Sequence, residues 1–302
     1  MEQPGASLRR GGNLIDIHVH LWDWRDTPGF IAEYLISRGY FGQQESESFF
    51  HTRALLAALD EGGVDIGVLL PLRSEHHHWR VTNEYVRQIV DEASGRLIGF
   101  AGVSPLAHDA TAELRHAIET LGLRGLKLHP PMQMFDPGDA RCFPVYALMQ
   151  EYGLPVLFHT GSGPTQLSDR YSNPHLVDEV AVHFPRLKIV MAHAGRFWYP
   201  ETLTMMRRHP NIHVDISANV GKATGYGLLL ALLVAVKEVV GDVKRVLFAS
   251  DYPWYMPKRM LDLLRQAQAA SRILPEPLTL TDGDIADITD GNARRVLGLT
   301  GR

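Results

Sequence analysis

The chain has 302 residues, 45% of them apolar and 21% charged, with a formal net charge of -4. This composition excludes a disordered or collagen-like polymer, and a slightly acidic chain without a basic run disfavours a nucleic-acid footprint. Fifteen histidines accompany a single cysteine, Cys142, which excludes an intramolecular disulfide framework and any multi-cysteine zinc or iron–sulfur site, so a bound metal must rest mostly on imidazole and carboxylate.

Residues 1–12 lack an apolar core of signal-peptide length and read as a flexible polar arm before one domain spanning 13–302. From there, short β-rich apolar runs alternate with longer helical patterns. Strands are predicted over 14–20, 64–70, 97–103, 123–129, 154–160, 187–193, 212–217 and 245–250. Helical stretches lie between them at 52–61, 83–93, 110–121, 143–152, 174–183 and 228–239. Eight β/α alternations in about 250 residues predict an α/β chain closed as a (β/α)₈ TIM barrel. The apolar run 228–236 stops at Lys237 and Glu238, too short for a bilayer, so a buried helix and no membrane association are expected. The chain is expected to be cytoplasmic.

An aromatic-rich insertion follows the first strand at 21–50, with Trp22, Trp24, Phe30, Tyr34, Tyr40, Phe41, Phe49 and Phe50. It reads equally as a lid or pocket wall and as a small helical cap at a subunit contact.

Buried parallel strands should be almost wholly apolar. Here polar residues collect at the ends of several: Asp16-Ile17-His18-Val19-His20, Lys127-Leu128-His129, Phe158-His159-Thr160, Ala192-His193-Ala194 and Ser250-Asp251. In a (β/α)₈ barrel those ends converge on one mouth, where catalytic residues sit. His18 and His20, two apart on a strand, face the same way. With His159, His193 and Asp251 they supply four nitrogens and a carboxylate, which suits zinc or another borderline divalent metal with one position open to water. Taken singly, each has an ordinary reading. His159 and His193 suit core histidines bonded to backbone, and Asp251 suits an N-cap before Pro253.

The series IDIHVH, GLKLHP, VLFHTG, IVMAHAG, FASDYP and GNARRVLGL resembles the amidohydrolase superfamily from Ile15 to Leu299. The branch it resembles is the metal-dependent one containing aminocarboxymuconate-semialdehyde decarboxylase and related decarboxylases and hydrolases. The resemblance implies one divalent metal, zinc by preference, held by His18, His20, His159 and Asp251. It also implies that His193 activates or orients a metal-bound water, with Asp251 as general base. Lys127 sits where binuclear branches carry a carboxylated lysine bridging two metals. An unmodified Lys127 beside one metal is the preferred expectation, with Lys127 and His129 as pocket residues. Arg196, Trp22 and Trp254 are the further candidates to contact a small, carboxylate-bearing substrate, with Trp198, Tyr199, Tyr255 and Asn219 behind them. The resemblance also implies a homodimer. Hydrolysis of an amide, lactone or ester-like bond is expected ahead of nonoxidative decarboxylation, and a catalytically silent binding barrel is the third reading.

Other signals are weak. His76-His77-His78 reads as solvated surface, Gly161-Ser162-Gly163-Pro164 lacks the lysine of a phosphate loop, and Cys142 reads as a buried thiol.

Overall fold

The computed structural model describes residues 14–37, 50–163 and 167–299. The expected arm 1–12 lies outside them, as do Tyr40, Phe41, Phe49 and Pro164. Strand β1 (Ile15–Val19) pairs in parallel with β2 (Ile66–Leu69). A small antiparallel hairpin follows, β3 (Arg73–Ser74) with β4 (Trp79–Arg80). The wall continues with β5 (Leu97–Gly99) on β2. Next comes β6 (Ala101–Gly102), followed by β7 (Leu126–Leu128), β8 (Val156–Phe158), β9 (Ile189–Met191), β10 (Ile212–Asp215) and β11 (Val246–Leu247), each of these five parallel to the one before.

Only Phe100 separates β5 from β6. Its N–H donates to the Leu69 carbonyl at 3.0 Å, and the next N–H, of Ala101, donates to Gly125 at 2.7 Å. One strand thereby changes partners and joins the two halves of the wall. At the other seam, Ile17 N–H donates to Phe248 at 3.1 Å, Asp251 N–H to His18 at 2.8 Å and His20 N–H to Tyr252 at 2.8 Å. These bonds bring the last strand back to the first, and the ring is a (β/α)₈ TIM barrel.

Helices at Thr52–Gly62, Asn83–Glu92, Ala110–Glu119, Phe143–Tyr152 and Gly227–Val240 fall where expected. Local chemistry sets their ends. Thr82 accepts the Tyr85 N–H at 3.1 Å as an N-cap, and Gly63 and Gly153 take left-handed φ after a C-terminus. The stretch expected as one helix over 174–183 begins instead as a 3₁₀ turn, Pro174–Val177, before the α-helix Asp178–His183. Two longer helices, Tyr199–Arg208 and Pro257–Ser271, complete the outer ring. Among the described residues the insertion contributes a 3₁₀ turn, Trp24–Asp26, and the α-helix Gly29–Ser37.

Alternation along the strands sorts the core into two layers. Val19, Leu126, Leu128, Val156, Phe158, Ile189 and Met191 pack outward with the helices. Their neighbours Val68, Phe100, Leu157, Val190 and Leu247 fill the barrel, with Val296 and Leu297 of the last helix joining that cluster. Each such fully buried side chain contributes about 1.5–3 kcal/mol through removal from water. Gly125 is required by this filling, because a Cβ there would enter the Phe100 ring.

β1 breaks the alternation. Ile15 and Ile17 belong to the inner cluster and Val19 to the outer, yet His18 and His20 also face the interior. The pairing register with β2 shifts between Asp16 and Val19, the signature of a bulge. Asp16 secures it: Oδ1 accepts the His18 N–H at 3.1 Å and the Ser250 N–H at 3.0 Å. The buried Asp16 carboxyl is pushed up to about 7 by desolvation, against the pull of these hydrogen bonds and those from the Ser250 side chain.

Candidate metal centre and active site

At the mouth formed by the carboxyl ends of the strands lies a cavity of about 90 Å³, lined by His18, His20, Lys127, His129, His159, His193 and Asp251. Its other walls include Ile31 and Tyr34 of the insertion helix, together with Leu72, Met132, Leu167, Arg196, Trp254 and Tyr255. That volume holds only a handful of waters, so it suits a small ligand.

His18 and His20 are oriented from behind. His18 Nδ1 lies 2.9 Å from Asp215 Oδ2, and His20 Nδ1 lies 2.7 Å from the Leu70 carbonyl. Both acceptors require the proton on Nδ1, so each Nε2 carries a lone pair. The two Nε2 atoms stand 3.0 Å apart, with Asp251 Oδ1 at 3.4 Å from His18 Nε2 and 3.5 Å from His20 Nε2. Three electron-rich atoms converge where mutual repulsion demands a cation. Tetrahedral ligands at about 2.0–2.1 Å from a zinc ion stand about 3.3 Å from one another, so the three fit one divalent ion nearly as they are. The donor set itself, two imidazoles and a carboxylate, is the chemistry such an ion takes.

Asp215 groups with His18 and His193 in a second cluster, but it is a hydrogen-bond hub. Its carboxylate already accepts from the His18 ring, from the backbone N–H groups of His193 (2.9 Å) and Ser217 (3.0 Å), and from the Ser217 hydroxyl. Oδ1 takes three of these donors and Oδ2 takes the His18 ring, so the carboxylate orients ligands.

His193 and His159 meet at 3.2 Å between Nε2 and Nδ1, and His159 Nε2 is buried with no hydrogen-bond partner among the described residues. His129 stacks on His159 with ring centroids 3.8 Å apart and planes 9° from parallel. Its Nδ1 accepts the Met132 N–H at 3.3 Å as an N-cap, which leaves the proton on Nε2 as a donor.

The backbone carrying His193 is left-handed for three residues, with φ of 58° at His193, 46° at Ala194 and 60° at Gly195. Such strain persists only when surroundings hold it. Asn219 Nδ2 donates to the His193 carbonyl at 2.9 Å, and Thr202 Oγ1 donates to the Ala194 carbonyl at 2.9 Å. Gly195 lies against Pro174 and Thr202, leaving no room for a Cβ.

Burial dominates the electrostatics. It pushes His20 and His159 down to about 3, with the Lys127 charge adding to the effect, and drives His18, His129 and His193 well below the ordinary imidazole value. Burial also pushes Lys127 down to about 8, while Asp251 and Asp215 hold it up. Asp251 is driven well above the usual carboxylate range by burial, and the Lys127 ammonium draws it back down. Neutral imidazoles are the form that binds metal.

A family model described as amidohydrolase matches residues 15–299. The chain belongs to the amidohydrolase family. Amidohydrolases are metal-dependent enzymes, and the His18–His20–Asp251 group can hold such a metal in this one. A comparison with curated proteins finds no match. Among solved structures, an uncharacterised TIM-barrel protein from Bordetella bronchiseptica is 21% identical, covering 96% of this chain and 99% of that one, with a TM-score of 0.75. A probable 2-pyrone-4,6-dicarboxylic acid hydrolase from Acinetobacter baumannii with bound citric acid is 14% identical over 95% of this chain and 99% of that one, TM-score 0.67. The 5-carboxyvanillate decarboxylase LigW from Sphingomonas paucimobilis is 20% identical over 97% and 100%, TM-score 0.66. At these identities the likeness is one of fold.

Most residues expected at the amidohydrolase site meet around one cavity: His18, His20, Lys127, His129, His159, His193, Arg196, Trp254 and Asp251. Trp22 is the correction. It is 1% exposed, does not line the cavity, and packs behind Trp254 at 5.5 Å with its indole N–H donated to Thr27 Oγ1 at 2.7 Å. A side chain two residues past His20 leaves the mouth and joins the aromatic core with Phe50 and Trp79. Tyr199 also lies off the cavity and donates to Asn219 Oδ1 at 2.8 Å, while Asn219 is spent on carbonyls. His76–His78 form the turn of the β3–β4 hairpin and join no metal-binding group among the described residues. Asp215 and Ser217 join the site beyond the sequence expectation, and the sequence marks them only by an aspartate inside the apolar run IHVDIS.

Proposed function

We propose that this amidohydrolase is a hydrolase that cleaves an amide, lactone or ester-like bond of a small carboxylate-bearing substrate, using one divalent metal, zinc by preference. The observation carrying the reading is the meeting of two lone-pair Nε2 atoms and the Asp251 carboxylate within 3.5 Å of one another. When bound there, a divalent ion supplies Lewis acidity and lowers the pKa of water.

The chain's own groups do the rest. Asp251, 13% exposed and facing the cavity, takes a proton from the attacking water and returns it to the leaving group. His193 orients the nucleophile through the His159 ring, whose Nδ1 stands 3.2 Å from its Nε2, and His159 Nε2, in neither metal-binding group among the described residues, keeps an open lone pair at the cavity. The His129 Nε2 proton suits an oxygen of the substrate. Arg196 supports recognition of a carboxylate: it lines the cavity, and its buried Nε has no partner among the described residues. Trp254, Tyr255, Ile31, Leu72 and Met132 in the cavity wall support an apolar substrate body.

A second reading is favoured by one feature. Lys127 and Arg196 both reach the cavity, so two cationic groups are present to hold the carboxylates of a decarboxylase substrate. Incubating zinc-loaded and manganese-loaded protein with lactones, amides and aromatic acids separates the two. Acid release without CO₂ is expected, whereas CO₂ without hydrolytic acid reverses the order. Protein purified without chelator that holds no metal and cannot be reconstituted overturns both.

A further inference from the structure

Asp215 reaches two of the cavity histidines by different routes. It bonds the His18 ring directly at 2.9 Å and reaches the His193 ring only through Ser217. Ser217 Oγ lies 2.7 Å from His193 Nδ1 and donates its one proton to Asp215 Oδ1. An ionised carboxylate only accepts, so the hydroxyl proton is committed and Ser217 Oγ must accept from His193 Nδ1–H. His193 Nε2 is then a lone pair. His159 Nδ1, 3.2 Å away, must donate to it, and the proton leaves His159 Nε2 bare, buried and without a partner among the described residues. Every proton in the row is directed by the carboxylate at its far end.

From this order we infer that Ser217 is a positioning residue: its hydroxyl sets the tautomers of His193 and, through it, of His159, so that His193 Nε2 accepts the His159 Nδ1 proton and His159 Nε2 stays unprotonated at the cavity. The inference deepens the proposed function and rests on its use of these two rings. Ser217 is fully buried and touches neither the cavity nor the three atoms that fit a metal. Its hydroxyl meets one cavity ring directly, that of His193, and reaches the ring of His18 only through the Asp215 carboxylate. Asp215 alone cannot replace it, since that carboxylate meets His193 at the backbone N–H and not at the ring.

The test is direct observation of the tautomers in zinc-loaded protein labelled with ¹⁵N at histidine, by long-range ¹H–¹⁵N spectra. His193 and His159 are assigned by the signals lost in His193→Gln and His159→Gln. In the parent protein both rings are expected with the proton on Nδ1 and Nε2 unprotonated. In Ser217→Ala, His193 is expected to shift toward the Nε2–H form. In Ser217→Thr, which keeps the hydroxyl, the parent pattern is expected to return. In turnover, Ser217→Ala is expected to lower kcat about 100-fold with KM within twofold, and Ser217→Thr to recover most of the rate. A parent His193 protonated on Nε2 overturns the proposal whatever the variants do. So does a folded Ser217→Ala with unchanged tautomers and unchanged kcat. The spectra need no substrate, so failure of the proposed reaction is read separately from failure of this assignment.

Discussion

Lys127 Nζ stands 3.3 Å from His18 Nε2, within the ring of groups that can hold a metal. An ammonium there satisfies the lone pair in the way a metal would, and the two compete. With Lys127 unmodified, elemental analysis is expected to give one metal per chain. Lys127→Met removes the competing charge at similar length and is expected to keep one metal and bind it about tenfold more tightly. Two metals per chain, falling on this substitution, would show instead that a carboxylated Lys127 bridges them.

Asp251→Asn is expected to fold normally and lose about 100- to 10,000-fold in kcat. Asn is the informative choice because Asp251 has a φ of 66°, and Asn tolerates the left-handed region as Asp does. Thermal unfolding together with steady-state kinetics checks this. A folded variant with near-parental turnover removes Asp251 from the proton transfer.

Arg196→Gln is expected to raise KM for a carboxylate-bearing substrate about 10- to 100-fold while kcat changes less than threefold, the pattern of lost uniform binding. The neutral methyl ester of the same substrate is expected to show no such rise. Equal effects on acid and ester would mean that Arg196 acts on the fold of the mouth.

Asp215→Ala strands the donors of His18, His193 and Ser217 in a dry interior. A loss of about 3–5 kcal/mol in denaturant unfolding is expected, together with metal affinity weaker by about 10- to 100-fold. Unchanged affinity in a destabilised variant would confine Asp215 to holding the strands.

His213, on the inner side of β10 below Asp215, has a buried Nδ1 without a hydrogen-bond partner among the described residues. Burial pushes it down to about 4, with the Arg245 charge adding to the effect. An unfolded chain protonates this ring below about 6.5, whereas the folded one resists until about 4. The unfolded state therefore binds more protons in that window, and folding stability falls as pH drops through it. His213→Gln is expected to flatten the stability profile between pH 6.5 and 4 by about 1–3 kcal/mol relative to the parent. Parallel profiles for the two proteins would place the acid sensitivity elsewhere.

Much of this was legible in the order of residues, because a parallel barrel writes its plan locally. Strands such as Ile189–Met191 are apolar until the chain reaches the mouth, and His193, His159 and Asp251 stand where that apolar run stops. What could not be read depends on neighbours distant in sequence. Regular alternation places His18 and His20 on one face, but it also places Ile17 opposite them. Only the register with β2 and the Asp16 bonds to His18 and Ser250 reveal that Ile17 faces inward as well. Trp22 looked like a mouth residue by its position, until its packing on Trp79 and Phe50 drew it into the core. Asp215 reads as one polar residue in a strand because its role lies in His18 and His193 from two other segments, joined by the nearby Ser217.

The seam between β1 and the last strand has a consequence for the order in which the molecule assembles. His18 and His20 stand near the start of the chain and Asp251 more than two hundred residues later, and they meet only through the bonds of Ile17 to Phe248, His18 to Asp251 and His20 to Tyr252. Contacts of such long separation carry a high loop-closure cost and are made late. The binding centre is thus absent from any partly wound barrel, including a chain still emerging with its eighth strand unmade. Metal capture during refolding becomes a clock for completion of the ring, and free energy gained from the ion stabilises the one step that local structure cannot secure alone.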